Sequence, residues 1–260
     1  MDSSFSCLIK FGFKSGQSGA HSARSMMLAE LQALFQVTNS DATQKDYEAE
    51  ICVHNTLDKP TVKSRSLTYR HLVDLYGMNP DIPLFRVFRK LWSIELTAQP
   101  VLAMQMALVR DPLLARTSNF MCETPEGSMI NRQDVEQILK SPDPDRFSPA
   151  SLKSFAQNIN GSWTQAGFLK GRTKKFRVQP EVTPVNIAFS FFLGYLTGAT
   201  GERLFKTTYT KLFSLTEHQI SELAIAAGHR GIIDFKQSGG VTEIRFPAYL
   251  TREEELMLHE

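Results

Sequence analysis

One stretch of the chain, residues 146–180, restricts the fold more than any other. Ser148 suits the N-cap of a helix, and Pro149 suits its first helical position. Apolar residues then recur at helical spacing: Leu152, Phe155, Ala156, Ile159 and Trp163. This spacing predicts a helix that buries one face, with Trp163 in the core. The alternative, in which Trp163 stacks on a nucleic-acid base, is less consistent with its helical phase.

Two short extended runs follow this helix, at residues 167–170 and 174–178, and residues 171–173 form a predicted turn between them. Upstream, Asn131 suits the N-cap of another helix. Helix, turn, helix and hairpin is the order of a winged helix-turn-helix, whose second helix enters the major groove of DNA while the wing meets the backbone. The sequence therefore predicts this fold for residues 127–180.

The same stretch is strongly basic. Residues 146–180 contain seven basic residues and no acidic one, although the net charge of the whole chain is only +2. A basic segment on an otherwise acidic chain predicts a surface that binds a polyanion. The alternative is an ordinary solvated hairpin, since surface lysines are common in α+β domains.

The predicted helix also has a polar, mostly uncharged face, and such side chains can hydrogen-bond to base edges. The candidate DNA-binding residues on the helix are Lys153, Ser154, Gln157, Asn158 and Asn160. Those on the hairpin are Lys170, Arg172, Lys174, Lys175 and Arg177. Side chains alternate along a strand, so we expect Phe176 and Val178 to point inward and Lys175 and Arg177 outward.

The rest of the sequence predicts a mainly α protein with small β-hairpins. We expect a flexible basic arm at residues 1–20, a helical bundle at 21–126 and the winged helix-turn-helix at 127–180. Residues 181–260 are predicted to be helical and to end in a second helix and hairpin. A glycine and two large apolar residues stand between helix and hairpin in both halves, at 167–169 and 231–233. The second copy is therefore interpreted as a second winged helix with a more neutral wing.

One uncharged segment, residues 182–201, could be mistaken for a membrane span. Pro184, Asn186 and three glycines interrupt it, whereas a spanning helix needs about 20 predominantly apolar residues. We expect a buried core helix and no membrane partner.

The sequence contains little that indicates catalysis. Its six histidines show no metal-binding spacing, and no nucleotide or hydrolase motif is present. Asp143 and Asp145 could suggest a nuclease pair, but no predicted strand flanks them. Cys7, Cys52 and Cys122 are widely spaced, which favours a reducing compartment over a disulfide or zinc site. We therefore expect a cytoplasmic non-enzyme without a secretion signal, a cofactor or a metal.

The run Asn55-Thr-Leu-Asp-Lys-Pro-Thr-Val-Lys-Ser-Arg65, continued by Arg70-His-Leu and Leu75, resembles the BrxA family of BREX bacteriophage-exclusion systems. The resemblance implies a small, non-enzymatic, DNA-binding component of an anti-phage defence system. It covers about a quarter of the chain, and residues 154–172 have no counterpart in it. Because the resemblance falls on Lys63, Arg65 and Arg70, these residues join the candidate DNA contacts.

Two functions of different kinds follow from these observations. The first is binding of double-stranded DNA through the polar helix and the basic wing. The second is a helical scaffold that docks a defence or DNA-modification enzyme through protein–protein contacts, with the basic hairpin against an acidic surface. Binding that weakens steeply with salt is the property that distinguishes the first from the second.

Overall fold

The computed structural model describes residues 3–141 and 143–259. Within them the chain is mainly helical with two small antiparallel sheets, as predicted. The helices are α1 (Ser3–Phe11), α2 (Leu28–Val37), α3 (Gln44–Glu48), α4 (Val62–Tyr76), α5 (Pro83–Trp92), α6 (Gln99–Arg110), α7 (Pro112–Ala115), α8 (Ser118–Glu123), α9 (Arg132–Lys140), α10 (Pro149–Gln165), α11 (Pro184–Leu196), α12 (Thr208–Lys211), α13 (Glu217–His229) and α14 (Arg252–His259). The strands are β1 (Met129–Ile130), β2 (Leu169–Lys170), β3 (Lys175–Arg177), β4 (Asp234–Ser238) and β5 (Val241–Arg245). Short 3-10 turns occupy Ala20–Ser22, Leu96–Ala98 and Gly201–Lys206, and a π-helical turn at Ala49–Val53 extends α3.

The N-terminal segment differs from the arm expected at residues 1–20. Residues 3–11 form α1, and Phe11 and Phe13 are buried in the core. The Arg110 guanidinium donates a hydrogen bond to the backbone oxygen of Gly12 and another, 3.2 Å long, to that of Val73. Apolar burial and a buried cation therefore fix this segment to the bundle. Met1 and Asp2 lie outside the described residues.

The helices within residues 21–126 pack around aromatic side chains. Phe88 stacks on Tyr76 with ring centroids 5.7 Å apart, and it also contacts Trp92 and Phe189. Phe189 belongs to α11, which is buried over most of its length. The core helix predicted within residues 182–201 is therefore confirmed. Within the described ranges, no helix combines the length and the apolar character that crossing a membrane requires.

Local capping sets several helix boundaries. Thr61 and Ser64 form a capping box at the start of α4, and Thr216 caps α13. Thr207 likewise caps α12 and separates it from the 3-10 turn at Gly201–Lys206.

Residues 127–180 contain two packed helices, α9 and α10, followed by β2 and β3. The structure adds β1, a strand that the sequence analysis did not predict. It pairs antiparallel with β3, so the sheet order is β1-β3-β2. In the last part of the chain, α13 leads into the β4–β5 hairpin, and within the described residues this second sheet has two strands. The interpretation of either unit as a winged helix stays a prediction.

Candidate nucleic-acid interface

The long helix α10 presents three different faces. Leu152, Ala156, Ile159 and Trp163 are buried, as predicted. The Trp163 indole nitrogen donates a 3.0 Å hydrogen bond to Thr117 Oγ1, which satisfies its polar atom inside the core. Trp163 is thus a core residue, and base stacking by this side chain is excluded because the ring has no exposed surface.

A second face of α10 holds the chain segment that precedes α2. The Asn158 amide donates a 3.0 Å hydrogen bond to the backbone oxygen of His21, and Gln165 donates one of the same length to Ser25 Oγ. Asn158 was predicted to face DNA. Its amide is used inside the protein and its side chain is only partly exposed, so Asn158 has less free surface than expected, and its contact with DNA stays a prediction.

Ser162, on this face of α10, forms a Ser–His–Asp constellation with His21 and Asp111. His21 Nδ1 lies 2.8 Å from Asp111 Oδ2, and His21 Nε2 lies 2.7 Å from Ser162 Oγ. Burial alone would raise the pKa of Asp111. The hydrogen bonds and the charge interaction with His21 outweigh this effect, so the pKa of Asp111 is lowered. All three residues are fully buried, so a substrate cannot reach the Ser162 hydroxyl. The constellation fastens the segment at Ala20–Ser22 to α10 and α7.

The third face of α10 is exposed and carries Lys153, Ser154 and Gln157. Asn160 was assigned to this face, but only 7% of it is exposed. Lys153 and Asn160 are seven residues apart and therefore nearly in phase, because the helix turns by about 100° per residue. This face of the helix is thus exposed at Lys153 and buried at Asn160. The free polar surface of α10 is therefore its N-terminal half.

The sheet reverses the orientation that the sequence analysis gave to β3. Paired residues share a face, and Ile130 pairs with Lys175 while Leu169 pairs with Arg177. These four residues form the inner face, where Arg177 is only 2% exposed. Phe176, with 41% of its surface exposed, lies on the outer face beside Met129 and Lys170. The predicted outward Arg177 and inward Phe176 are thus both wrong.

Arg177 is buried at a place where its guanidinium donates hydrogen bonds to several backbone oxygens. Its guanidinium donates to Met121 O at 3.2 Å, to Val178 O, and more weakly to Leu212 O at 3.5 Å. Met121 and Leu212 lie at the ends of α8 and α12, where backbone carbonyls lack helical partners. A guanidinium supplies five donors in one plane. Arg177 therefore acts as a structural link between three segments.

The loop between β2 and β3 is a tight turn that needs glycine. Gly171 has φ of 110°, and a Cβ there would lie 2.1 Å from Lys174 O. Lys175 folds back so that its Nζ donates a 2.7 Å hydrogen bond to Gly171 O, and burial lowers its pKa. Lys170, Arg172 and Lys174 remain exposed. Among the described residues, Arg172 and Lys174 form no ion pair.

A cavity of about 640 Å³ lies between α10, the start of α9 and this turn. Its lining residues are Met129, Ile130, Asn131, Arg132, Gln133, Gln157, Asn160, Gly161, Arg172, Thr173, Lys174 and Lys175. No acidic residue belongs to this described lining. Arg132 and Gln133 were missed by the sequence analysis, although the predicted cap at Asn131 places them in the first turn of α9. The cavity makes the surface concave, amide-rich and basic.

The candidates on α4 lie apart from this surface. Lys63 and Arg70 are exposed, whereas Arg65 is partly buried and donates long hydrogen bonds of 3.4 Å to the backbone oxygens of Lys59 and Cys52. The turn at Ala20–Ser22 packs against both α4 and α10 and stands between them. Arg65 therefore braces a loop, and the structure does not bring Lys63 or Arg70 into the cavity.

Comparison with known proteins adds no assignment. No family model matches this chain, and no curated protein matches it either.

Proposed function

We propose that this protein binds double-stranded DNA through the exposed face of α10 and the β2–β3 turn. Lys153, Ser154 and Gln157 enter the major groove, and Arg172 and Lys174 contact the phosphate backbone. The observation that carries the proposal is the concave surface between α10 and the turn, which presents basic and amide side chains without an acid. Such a surface attracts a polyanion and offers donors and acceptors to base edges.

The order of elements supports this assignment. The helix pair α9 and α10 is followed by a sheet of order β1-β3-β2, with the cationic turn beside α10. We interpret these elements as a winged helix-turn-helix, in which α10 is the recognition helix and residues 171–174 form the wing. Lys170, on the outer face of the sheet, is a peripheral backbone contact. Together with the resemblance to BrxA, this supports a role as a non-enzymatic, cytoplasmic component of an anti-phage defence system.

The direct test is an equilibrium titration of the protein with a random-sequence duplex over a salt series. We expect the logarithm of the binding constant to fall linearly with the logarithm of salt concentration, because bound cations release counterions from DNA. Binding with no salt dependence, or no binding at low salt, would contradict the proposal. An acidic protein such as a polyglutamate chain serves as the control for unspecific attraction of anions.

A second candidate function is docking of an enzyme of the same defence or DNA-modification system. It is favoured by Met129 and Phe176, which pair across β1 and β3 and expose 49% and 41% of their surface. Two adjacent exposed apolar side chains are suited to a protein contact. Loss of co-purification of a partner by Phe176→Ser, with DNA binding retained, would support this function.

A further inference from the structure

The chain segment at residues 20–27, here called the strap, lies along one flank of α10. The Asn158 amide is bonded to His21 O near the start of the strap, and the Gln165 amide donates a 3.0 Å hydrogen bond to Ser25 Oγ near its end. The β2–β3 turn lies on the other flank, across the cavity. The proposed recognition helix therefore has a different chain segment on each side.

The helical phase of α10 places its exposed polar residues between these two flanks. Gly161 marks the boundary: it lines the cavity, and a side chain at this position would meet Ser25 Cβ at 3.7 Å. Because the helix turns by about 100° per residue, exposed Ser154 and Gln157 lie within about 40° of Gly161, one on each side. Asn158 lies farther round, about 60° towards the strap. A helix face that meets DNA thus has the turn on one side and the strap on the other.

The strap carries a cation that no group of the described chain neutralises. Arg24 is exposed and, within residues 3–141 and 143–259, has neither an ion pair nor a hydrogen bond. The strap also contacts α4, on which Arg70 is exposed and equally unpaired within these ranges. The charges of Arg24 and Arg70 both lower the pKa of His71, so the two guanidinium groups lie near the same ring. Asp74, the acid that also acts on this ring, is paired with Lys14 at 2.9 Å.

A helix in the major groove has a phosphate backbone on each side, because the groove is about 12 Å wide and a helix with its side chains is about 10–12 Å across. The proposed function assigns the cations of the turn to one backbone and leaves the other backbone without a contact. We propose that Arg24 and Arg70 bind phosphates of the opposite strand, on the strap side of α10. This inference rests on the proposed function, since it takes α10 as the helix in the groove.

The first experiment measures the affinity of the double variant Arg24→Ala with Arg70→Ala for a random-sequence duplex over a salt series. We expect the log–log salt slope to fall by about 0.9 for each lost phosphate contact. The melting temperature should not change, because both side chains are exposed and unpaired among the described residues. Wild-type affinity and slope in the folded variant would overturn the proposal.

Two further variants serve as controls for this measurement. Arg24→Lys with Arg70→Lys keeps both charges and should keep most of the slope, because a lysine also binds phosphate as a point charge. Lys236→Ala with Arg252→Ala removes two exposed charges from β4 and α14 and should keep the wild-type slope. An equal loss of slope in this last variant would mean that only net charge matters, and would contradict a contact at the strap.

The second experiment tests whether the strap and the turn contact different strands. It uses a duplex in which one strand has an uncharged methylphosphonate backbone, and compares it with the unmodified duplex. Wild type should lose more slope on the modified duplex than the Arg24→Ala, Arg70→Ala variant does, because either the turn or the strap of wild type must face the uncharged strand. Comparing the two proteins on the same two duplexes removes the effect of the lower charge density. Equal losses would contradict contacts on opposite strands.

The turn variant Arg172→Ala with Lys174→Ala separates this inference from the proposed function. Its slope should fall whether or not the strap contacts DNA. A lower slope in the turn variant together with a wild-type slope in the Arg24→Ala, Arg70→Ala variant would defeat the strap contact and leave the proposed function in place. Absence of duplex binding by wild type would defeat both.

Discussion

His21 Nε2 lies 2.7 Å from Ser162 Oγ, and this contact ties the segment before α2 to the C-terminal half of α10. On the other side of the ring, Nδ1 lies 2.8 Å from Asp111 Oδ2. Asp111 also accepts hydrogen bonds from the backbone nitrogens of Leu113 and Leu114, so it caps α7 at the same time. The position of the proposed recognition helix therefore depends on a buried polar network.

We expect His21→Ala to destabilise the protein by about 3–5 kcal/mol, because it removes one partner of a buried pair and leaves Asp111 and Ser162 short of partners. Denaturant unfolding followed by circular dichroism measures this loss. His218→Ala is the control, since His218 is exposed on α13, and a surface change of this kind alters stability by less than about 0.5 kcal/mol. Equal stability of the two variants would contradict the role given to His21.

Arg177→Ala should lower the free energy of unfolding by about 2–3 kcal/mol, because the backbone oxygens of Met121 and Val178 lose their buried donor. The neighbouring exposed cation gives a matched comparison: Arg172→Ala should leave stability within about 0.5 kcal/mol of wild type. Urea denaturation distinguishes the two. A stable Arg177→Ala protein that has lost DNA binding would instead restore Arg177 to the wing surface.

Trp163→Ala should destabilise the fold by about 3–5 kcal/mol, the usual effect of removing a buried large aromatic side chain. The change also removes the donor of Thr117 Oγ1 and the packing on Phe168, whose ring centroid is 5.1 Å away. Trp163→Phe should recover part of the loss because it restores the packing only. Calorimetric melting measures both variants, and an unchanged melting temperature for Trp163→Ala would show that the ring is not in the core.

Stability should decrease as the pH falls below about 6.5, the ordinary pKa of histidine. Burial, with the charges of Arg70 and Arg24, lowers the pKa of His71 in the fold, and Asp74 opposes this only partly. Between the pKa of His71 in the folded protein and its pKa of about 6.5 in the unfolded chain, the unfolded chain binds more protons. The contribution of His71 to stability is therefore complete above pH 6.5 and is lost as the pH falls towards the pKa in the folded protein. His71→Gln should flatten this dependence in urea titrations at stepped pH. An identical pH profile in the variant would exclude His71 as its source.

The structure also shows which parts of the site follow from local sequence. Alternation along β3 correctly placed Lys175 and Arg177 on one face, because the period of a strand is local. The choice of inner face was wrong, since it depends on carbonyl oxygens at Met121 and Leu212, which are distant in sequence. The buried face of α10 was predicted from its apolar spacing, whereas the partial burial of Asn158 goes with a contact to His21 that no local pattern reveals.

The claim that the β2–β3 turn contacts DNA is tested most directly by the double variant Arg172→Ala with Lys174→Ala. The measurement is duplex affinity over a salt series, with circular dichroism to confirm the fold. The control double variant, Lys45→Ala with Lys236→Ala, removes two exposed charges from α3 and β4. We predict that the log–log salt slope falls by about 0.9 for each lost phosphate contact in the turn variant and is unchanged in the control. Wild-type affinity and slope in a folded turn variant would contradict the account.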